Sequence, residues 1–323
     1  MSSYDLTRQL PADHFSHALR HDVQHGLTAS PKTLPPKWFY DAAGSELFEE
    51  ITRLPEYYPT RAEREILTSR SRAIAAITRA RTLVELGSGS SEKTRLLLDA
   101  LQELGTLETY IPVDVSESAL DAAGKSLTKE YPGLSVHAVL SDFTHGRGLP
   151  TGAGPKVLAF LGGTLGNLLP AERAEFLTGL RKLMAPGDAL LLGTDLVKDP
   201  KVLVAAYDDA AGVTAAFNKN VLNVLNRELN ADFDPGTFEH VALWDARQEW
   251  IEMRLRSTRT QTVKIQALDL AVHFEEGEEL RTEVSAKFRH ARVADELEAA
   301  GLELAEWWTD EQGRFGLSLA VPR

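Results

Sequence analysis

Residues Leu83 to Leu98 read LVELGSGSSEKTRLLL: an apolar run ends in an acid, breaks into a Gly/Ser loop and restarts as an amphipathic helix. That succession is how an α/β sheet often cradles a nucleotide-type ligand. A polyphosphate calls for G-x-x-x-x-G-K-[ST], and Gly87 to Thr94 match it except that Glu92 stands in place of the second glycine. A carboxylate there repels phosphate and stops the backbone N–H groups from wrapping it. A dinucleotide calls for G-x-G-x-x-G, with the third glycine bringing helix close to strand; Glu92 again holds that position. The acidic ribose partner is then expected about 20 residues on, and the next acidic strand end, Asp114, comes later.

S-adenosylmethionine asks for something different. Its adenosine has no phosphate, so the loop needs only close backbone approach at Gly87 and Gly89, with hydroxyls from Ser88, Ser90 and Ser91 nearby. Its methionyl end carries both charges, and Lys93 can offer a cation to the carboxylate. Asp114, closing YIPVDV, can accept both ribose hydroxyls, and Asp142 and Phe143, closing LSDF, can hold an adenine amino group and ring face. Each piece has a plainer role as well: a tight turn, a solvated lysine, a cap on the helix VSESAL. Three consecutive strands ending in suitable side chains favour the ligand.

Two other constellations could do chemistry. His14, His17, His21 and His25 share one helix face, but no acid or cysteine stands at a tight metal-ligand spacing, so a solvated face is expected and no metal is assigned. Gly162-Gly163-Thr164-Leu165-Gly166 fits the nucleophile elbow G-x-[ST]-x-G, with Asp195 and His240 following in hydrolase order. A threonine is an unusual nucleophile in that elbow.

The elements that must position these residues show in the hydrophobic pattern. Short apolar runs (TLVELGS, YIPVDVS, LSVHAVLSD, KVLAFLGG, ALLLGTDL) alternate with helical segments such as EKTRLLLDALQEL and AERAEFLTGLRKLM. This rhythm predicts a doubly wound, mostly parallel α/β sheet. After Asp195 the pattern turns to helices and then to period-two strands, FEHVALWDARQEWIEMRLRS and TVKIQALDLAVHF; ARVADELEAAGL, LELAEWW and FGLSLAV suit a last helix and an antiparallel hairpin on the sheet. The predicted α/β domain is 61–195 with 288–323. The second lobe is 9–60 with 196–287, and its N-terminal arm is helical, then irregular and dense in aromatics (Trp38, Phe39, Tyr40, Phe48, Tyr57, Tyr58).

Composition narrows the partners. The 323 residues carry a formal net charge of -12 with no basic cluster, which argues against nucleic acid and anionic membranes and for a small molecule. There is no cysteine, so no thiol nucleophile, disulfide or cysteine metal site. No secretion signal or bilayer-length apolar run is evident, and a cytoplasmic protein is expected.

The motifs PPKWFYD, LPEYYPTR, ELGSGSSEKT, FLGGTLGN, LLGTDLVKD, YDDAAGVTAAFN and EVSAKF together resemble the histidine-specific Nα-methyltransferases of ergothioneine biosynthesis, from about Leu27 to the end. The resemblance implies a Rossmann-like methyltransferase core and a substrate-binding lobe. It also implies three successive transfers from S-adenosylmethionine to the α-amino group of L-histidine, giving hercynine. By matching motif, the implied cofactor positions are Gly87, Lys93, Asp114, Asp142 and Phe143. The implied substrate positions are Tyr57, Asn167, Tyr207, Glu283 and Ser285, with Tyr40 and Met253 lining the pocket. Asn167 would hold the amino and carboxylate end, Tyr207 would donate to the carboxylate, and Glu283 and Ser285 would meet the two imidazole nitrogens. The first 26 residues match no motif. Related branches methylate other amino acids, and a non-catalytic sensor of the amino acid or cofactor would keep the same pocket.

Overall fold

The computed structural model describes residues 3–9, 11, 13–142 and 154–323. The chain divides into two compact units, one from Met1–Pro11, Pro59–Val197 and Phe288–Arg323, the other from Ala12–Tyr58 and Lys198–Lys287.

Among the described residues the first unit has an eight-stranded sheet in the order Ser3–Arg8, Ser135–Leu140, Thr109–Asp114, Thr82–Leu86, Lys156–Phe160, Ala189–Asp195, Phe315–Pro322, Leu302–Thr309. The first six are parallel, and the last two form the expected antiparallel hairpin on the edge at Ala189–Asp195. Thr82–Leu86, Lys156–Phe160 and Ala189–Asp195 are buried at every position, which is why they appear as continuous apolar runs rather than alternating ones. Leu83, Val157, Leu191 and Leu317 share one core with Ile66, Leu97 and Leu101 from the helices Pro59–Thr78 and Arg95–Glu103.

From the central strand Thr82–Leu86 the chain steps outward to Thr109–Asp114 and Ser135–Leu140, then returns to the other flank of Thr82–Leu86 at Lys156–Phe160. That reversal is where an open α/β sheet opens a crevice beyond its strand C-termini. The pairs Leu86 with Val113 and Asp114 with Leu140 bring the glycine loop, Asp114 and Asp142 to the same end of three neighbouring strands.

The strand Ser3–Arg8 is a departure from the helical and irregular N-terminus expected from sequence. Only Tyr4 and Leu6 in SYDLTR face a core, with Leu120, Ala138 and Leu140, so the segment has too little apolar alternation to announce itself. It is held by contacts distant in sequence. The Tyr4 ring occupies the place of a side chain at Gly124, where a Cβ would come within 2.1 Å of it, and Arg8 pairs with Glu117 at 2.5 Å.

The second unit contains a sheet ordered Lys32–Thr33, Glu279–Ala286, Trp250–Ser257, Phe238–Asp245, and a hairpin of Gln261–Ile265 with Leu270–Phe274. Its core joins the N-terminal arm (Leu19, Val23, Phe39, Tyr57, Tyr58) to Phe217 and Val221 of the helix Val213–Leu229 and to Ile251 and Phe274 of the strands. The aromatic arm therefore packs inside its own lobe.

Candidate functional site

The loop after Thr82–Leu86 is built from left-handed residues: Gly87 (φ 69°), Gly89 (φ 50°) and, against the usual preference, Ser91 (φ 52°). Its first three amides already have acceptors. Gly87 and Ser88 donate to the Val113 carbonyl at 2.8 and 3.3 Å. Gly89 donates to Asp114 Oδ2 at 2.9 Å, and Ser116 donates to Oδ1 at 2.9 Å. Amides engaged in this way do not form a phosphate nest. A Cβ at Gly89 would meet nothing within 4 Å, so the backbone there borders open space, and the buried Ser88 Oγ has no hydrogen-bond partner. A buried hydroxyl and a carboxylate with acceptor positions left, beside open backbone, suit a nucleoside with hydroxyls and no phosphate.

Burial raises the pKa of Asp114, and the N–H groups of Gly89 and Ser116 oppose that rise. Asp142 follows the adjoining strand end and is half-buried. Phe143 lies outside the described residues.

Beneath the loop lies a carboxyl to which the sequence reading gave no role. Glu85 accepts from Thr94 Oγ1 at 2.5 Å and from the Tyr110 hydroxyl, which also meets Ser91 Oγ at 2.8 Å. Burial pushes Glu85 up to about 7. Lys93, expected to clamp the cofactor's carboxylate, is ion-paired with the fully buried Glu63. Glu63 also accepts the Gly162 N–H with both oxygens, at 2.8 and 3.0 Å. An ammonium has three hydrogens, so the pairing leaves Lys93 able to bind a second anion. Glu63 had a signal in the sequence: it lies on the helix stripe of Ala62, Ile66 and Leu67, where a charge is out of place.

Past Gly162 and Gly163 (φ 77° and 73°) the chain forms a short 3-10 turn, Thr164–Asn167, which leaves Asn167 half-buried at its end. The same turn disposes of the hydrolase elbow. Thr164 Oγ1 donates to the Leu161 carbonyl at 3.1 Å. His240 has its ring nitrogens on the Asn218 amide and the Tyr207 carbonyl, both at 2.8 Å, and burial lowers its pKa. Both ring nitrogens are thus engaged within the second unit. On the helix His14–Thr28, His21 and His25 stack at 4.0 Å and His17 meets Asp13 at 3.1 Å. Among the described residues no three histidine or acidic side chains gather as for a metal.

In the second unit the expected substrate residues form a connected group. Tyr40 packs on Phe48 and Phe217 (5.5 and 5.4 Å between centroids), Phe48 on Tyr57 (6.2 Å), and Tyr57 on Tyr207 (6.3 Å). The Tyr207 hydroxyl lies 2.8 Å from Ser285 Oγ. Glu283 stands two residues from Ser285 on the same strand face, half-buried and paired across the sheet with the buried Met253. Lys287, which was not anticipated, donates to both the Tyr207 and Ser285 hydroxyls at 2.9 Å.

A family model described as "Histidine-specific methyltransferase, SAM-dependent" matches residues 19–322, spanning both units. The chain belongs to this methyltransferase family. Histidine N-alpha-methyltransferase of Mycolicibacterium smegmatis is 58% identical over 316 residues, 98% of this chain and 98% of the relative. Its namesake from Mycobacterium tuberculosis is 59% identical over 305 residues, 94% and 95% of the two chains. Ergothioneine biosynthesis protein 1 of Neurospora crassa is 29% identical over 295 residues, 90% of this chain but 33% of that longer protein. This methyltransferase uses S-adenosylmethionine, and the loop at Gly87 with the strand-end acids fits that cofactor.

Proposed function

We propose that this methyltransferase transfers three methyl groups in succession from S-adenosylmethionine to the α-amino group of L-histidine, giving hercynine, in ergothioneine biosynthesis. The observation that carries this reading is one histidine-specific family match running through both units. The first unit is read as the cofactor domain, with Gly87, Lys93, Asp114, Asp142 and Phe143 as its cofactor residues. The second is read as the substrate lobe, with Tyr57, Tyr207, Glu283 and Ser285 binding histidine beside Tyr40 and Met253, and Asn167 is read as a further substrate residue.

When bound, the cofactor supplies a sulfonium methyl whose leaving group departs neutral. The protein's task is then alignment rather than covalent or metal catalysis. The attacking amine must be unprotonated, which requires a site that takes the neutral amine or releases its proton to water, so no dedicated base is assigned. Asn167 supplies a donor and an acceptor for the amino-acid end. Tyr207 supplies a donor for the carboxylate, and Glu283 an acceptor for the imidazole N–H. A site that pairs with ring nitrogens rejects analogues lacking them, because its own polar groups are left unpaired.

No helix among the described residues is long and apolar enough to cross a membrane. A cytoplasmic setting with a small-molecule substrate is the proposed context; the net charge of -12 argues against a nucleic-acid or anionic-membrane partner.

Incubation with labelled S-adenosylmethionine and a panel of amino acids tests the reading. Histidine should give mono- and dimethylated species that convert to the trimethylated product. Methylation of another amino acid in preference to histidine would move the chain to a different branch, and cofactor binding without turnover of any amino acid would make it a sensor.

A further inference from the structure

The strand Glu279–Ala286 carries a bulge just ahead of its expected substrate residues. Leu280 lies opposite Leu255 and Arg281 opposite Arg254, but Glu283 lies opposite Met253, so Thr282 is one residue too many for the ladder. Without it, strict alternation would put Thr282 and Val284 on the face of Leu280, and Glu283 and Ser285 on the other. With it, Glu283 and Ser285 share a face with Met253 and Ile251, both buried. The bulge therefore decides which way the two expected imidazole contacts point.

Thr282 is fully buried and heads a chain of side-chain hydrogen bonds within the second unit. Its hydroxyl donates to Asn218 Oδ1 at 2.6 Å and lies 3.1 Å from the Met253 carbonyl. Asn218 Nδ2 meets the Arg254 carbonyl at 3.1 Å and His240 Nδ1 at 2.8 Å, and His240 Nε2 meets the Tyr207 carbonyl at 2.8 Å. Counting hydrogens leaves one arrangement. The Arg254 carbonyl only accepts, so the Asn218 nitrogen faces it and gives its other hydrogen to Nδ1. Nδ1 then carries no hydrogen, and the Tyr207 carbonyl accepts the one on Nε2. Burial favours the neutral ring that this requires. The chain thus runs from the bulge before Glu283 to the backbone of Tyr207, each donor matched to an acceptor. A buried polar network satisfied in full rigidifies what it joins.

We propose that Thr282, Asn218 and His240 are positioning residues for the amino-acid substrate, pinning the bulge that turns Glu283 and Ser285 to the Met253 face and fixing it to the backbone of Tyr207. This rests on the reading that Tyr207, Glu283 and Ser285 bind histidine. The full-length wild type is compared with T282V, T282S, H240F, H240Q, Y207F and S285A for the KM and kcat of histidine and for cofactor affinity by calorimetry.

T282V leaves Asn218 Oδ1 without its donor, and H240F leaves both Asn218 and the Tyr207 carbonyl without a partner. Each should raise the histidine KM about tenfold or more, with cofactor affinity within about twofold of wild type. T282S keeps the hydroxyl and should stay within about threefold of the wild-type KM. A KM that rises in Y207F and S285A, but in only one or neither of T282V and H240F, overturns the chain and leaves the substrate reading intact. A KM unmoved in Y207F and S285A overturns that reading and the inference with it. Equal losses in T282S and T282V, or parallel losses for histidine and cofactor, would make these residues structural and overturn the proposal. If T282V and H240F do not fold, H240Q carries the comparison, since it keeps a donor for the Tyr207 carbonyl and loses the acceptor for Asn218. A histidine KM raised about threefold or more is expected there, and one equal to wild type is the overturning result.

Discussion

At the scale of single residues, the structure gives two of the expected binding groups work inside the protein. Asp114 clasps the glycine loop and Lys93 pairs with Glu63. Neither role conflicts with a ligand, because a carboxylate has about four acceptor sites and an ammonium three hydrogens. Glu85 makes a sharper prediction. Its folded-state pKa of about 7 exceeds the ordinary 4.5, so the folded chain holds this proton more tightly than the unfolded chain. The stability from this group is complete below the unfolded value and is lost as pH rises toward the folded one. Denaturant unfolding should therefore find Glu85→Gln less destabilising at pH 8 than at pH 5; an equal or greater cost at pH 8 contradicts a carboxyl held neutral by burial. Glu283→Ala should raise the histidine KM or lower kcat by about tenfold or more while cofactor affinity stays within about twofold. Histidine turnover that survives this change intact would remove the imidazole role from Glu283.

At the scale of elements, one carboxylate ties three segments together. Glu63 on the helix Pro59–Thr78 holds Lys93 beside the glycine loop and the amide of Gly162 beyond the strand Lys156–Phe160. The strand Ala189–Asp195 makes room for it at Gly193, where a Cβ would come 2.2 Å from Glu63 Oε1. Since Glu63 is held by two partners, Gly193→Ala should destabilise the protein by about 1–3 kcal/mol and weaken cofactor binding through Lys93. Unfolding midpoints and calorimetry check both, and an unchanged midpoint would mean that Glu63 moves aside at little cost. The parallel strands and the closing hairpin were legible from sequence because their burial makes apolar runs at a two-sided or one-sided period. The strand Ser3–Arg8 was not, because its place depends on Tyr4 meeting Gly124 and Arg8 meeting Glu117, both more than a hundred residues away along the chain.

At the scale of the whole molecule, a cofactor that binds only the folded chain must stabilise it. At a hundred times its dissociation constant the gain is about 2.7 kcal/mol, a rise of a few degrees in the unfolding temperature for a chain of this size. Wild type and Glu283→Ala should show that rise with S-adenosylmethionine, and Asp114→Ala should lose most of it at the same concentration. A full rise in Asp114→Ala would show that the strand-end acid is not a cofactor residue. The family assignment needs no such test, since it rests on a match across 19–322.

The sequence by itself determined the α/β class, the choice of a phosphate-free nucleoside over a polyphosphate, and the methyltransferase family. Those depend on local periodicity, on Glu92 standing where a glycine was needed, and on motifs long enough to identify. Only the tertiary structure decided which partners the charged groups take. Glu63 reaches Lys93, Glu85 lies under Tyr110 and Thr94, Lys287 holds Tyr207 and Ser285, and His240 is committed to Asn218 and the Tyr207 carbonyl. A buried polar group must find a partner, but which one is set by residues brought close in the fold rather than by neighbours in the chain.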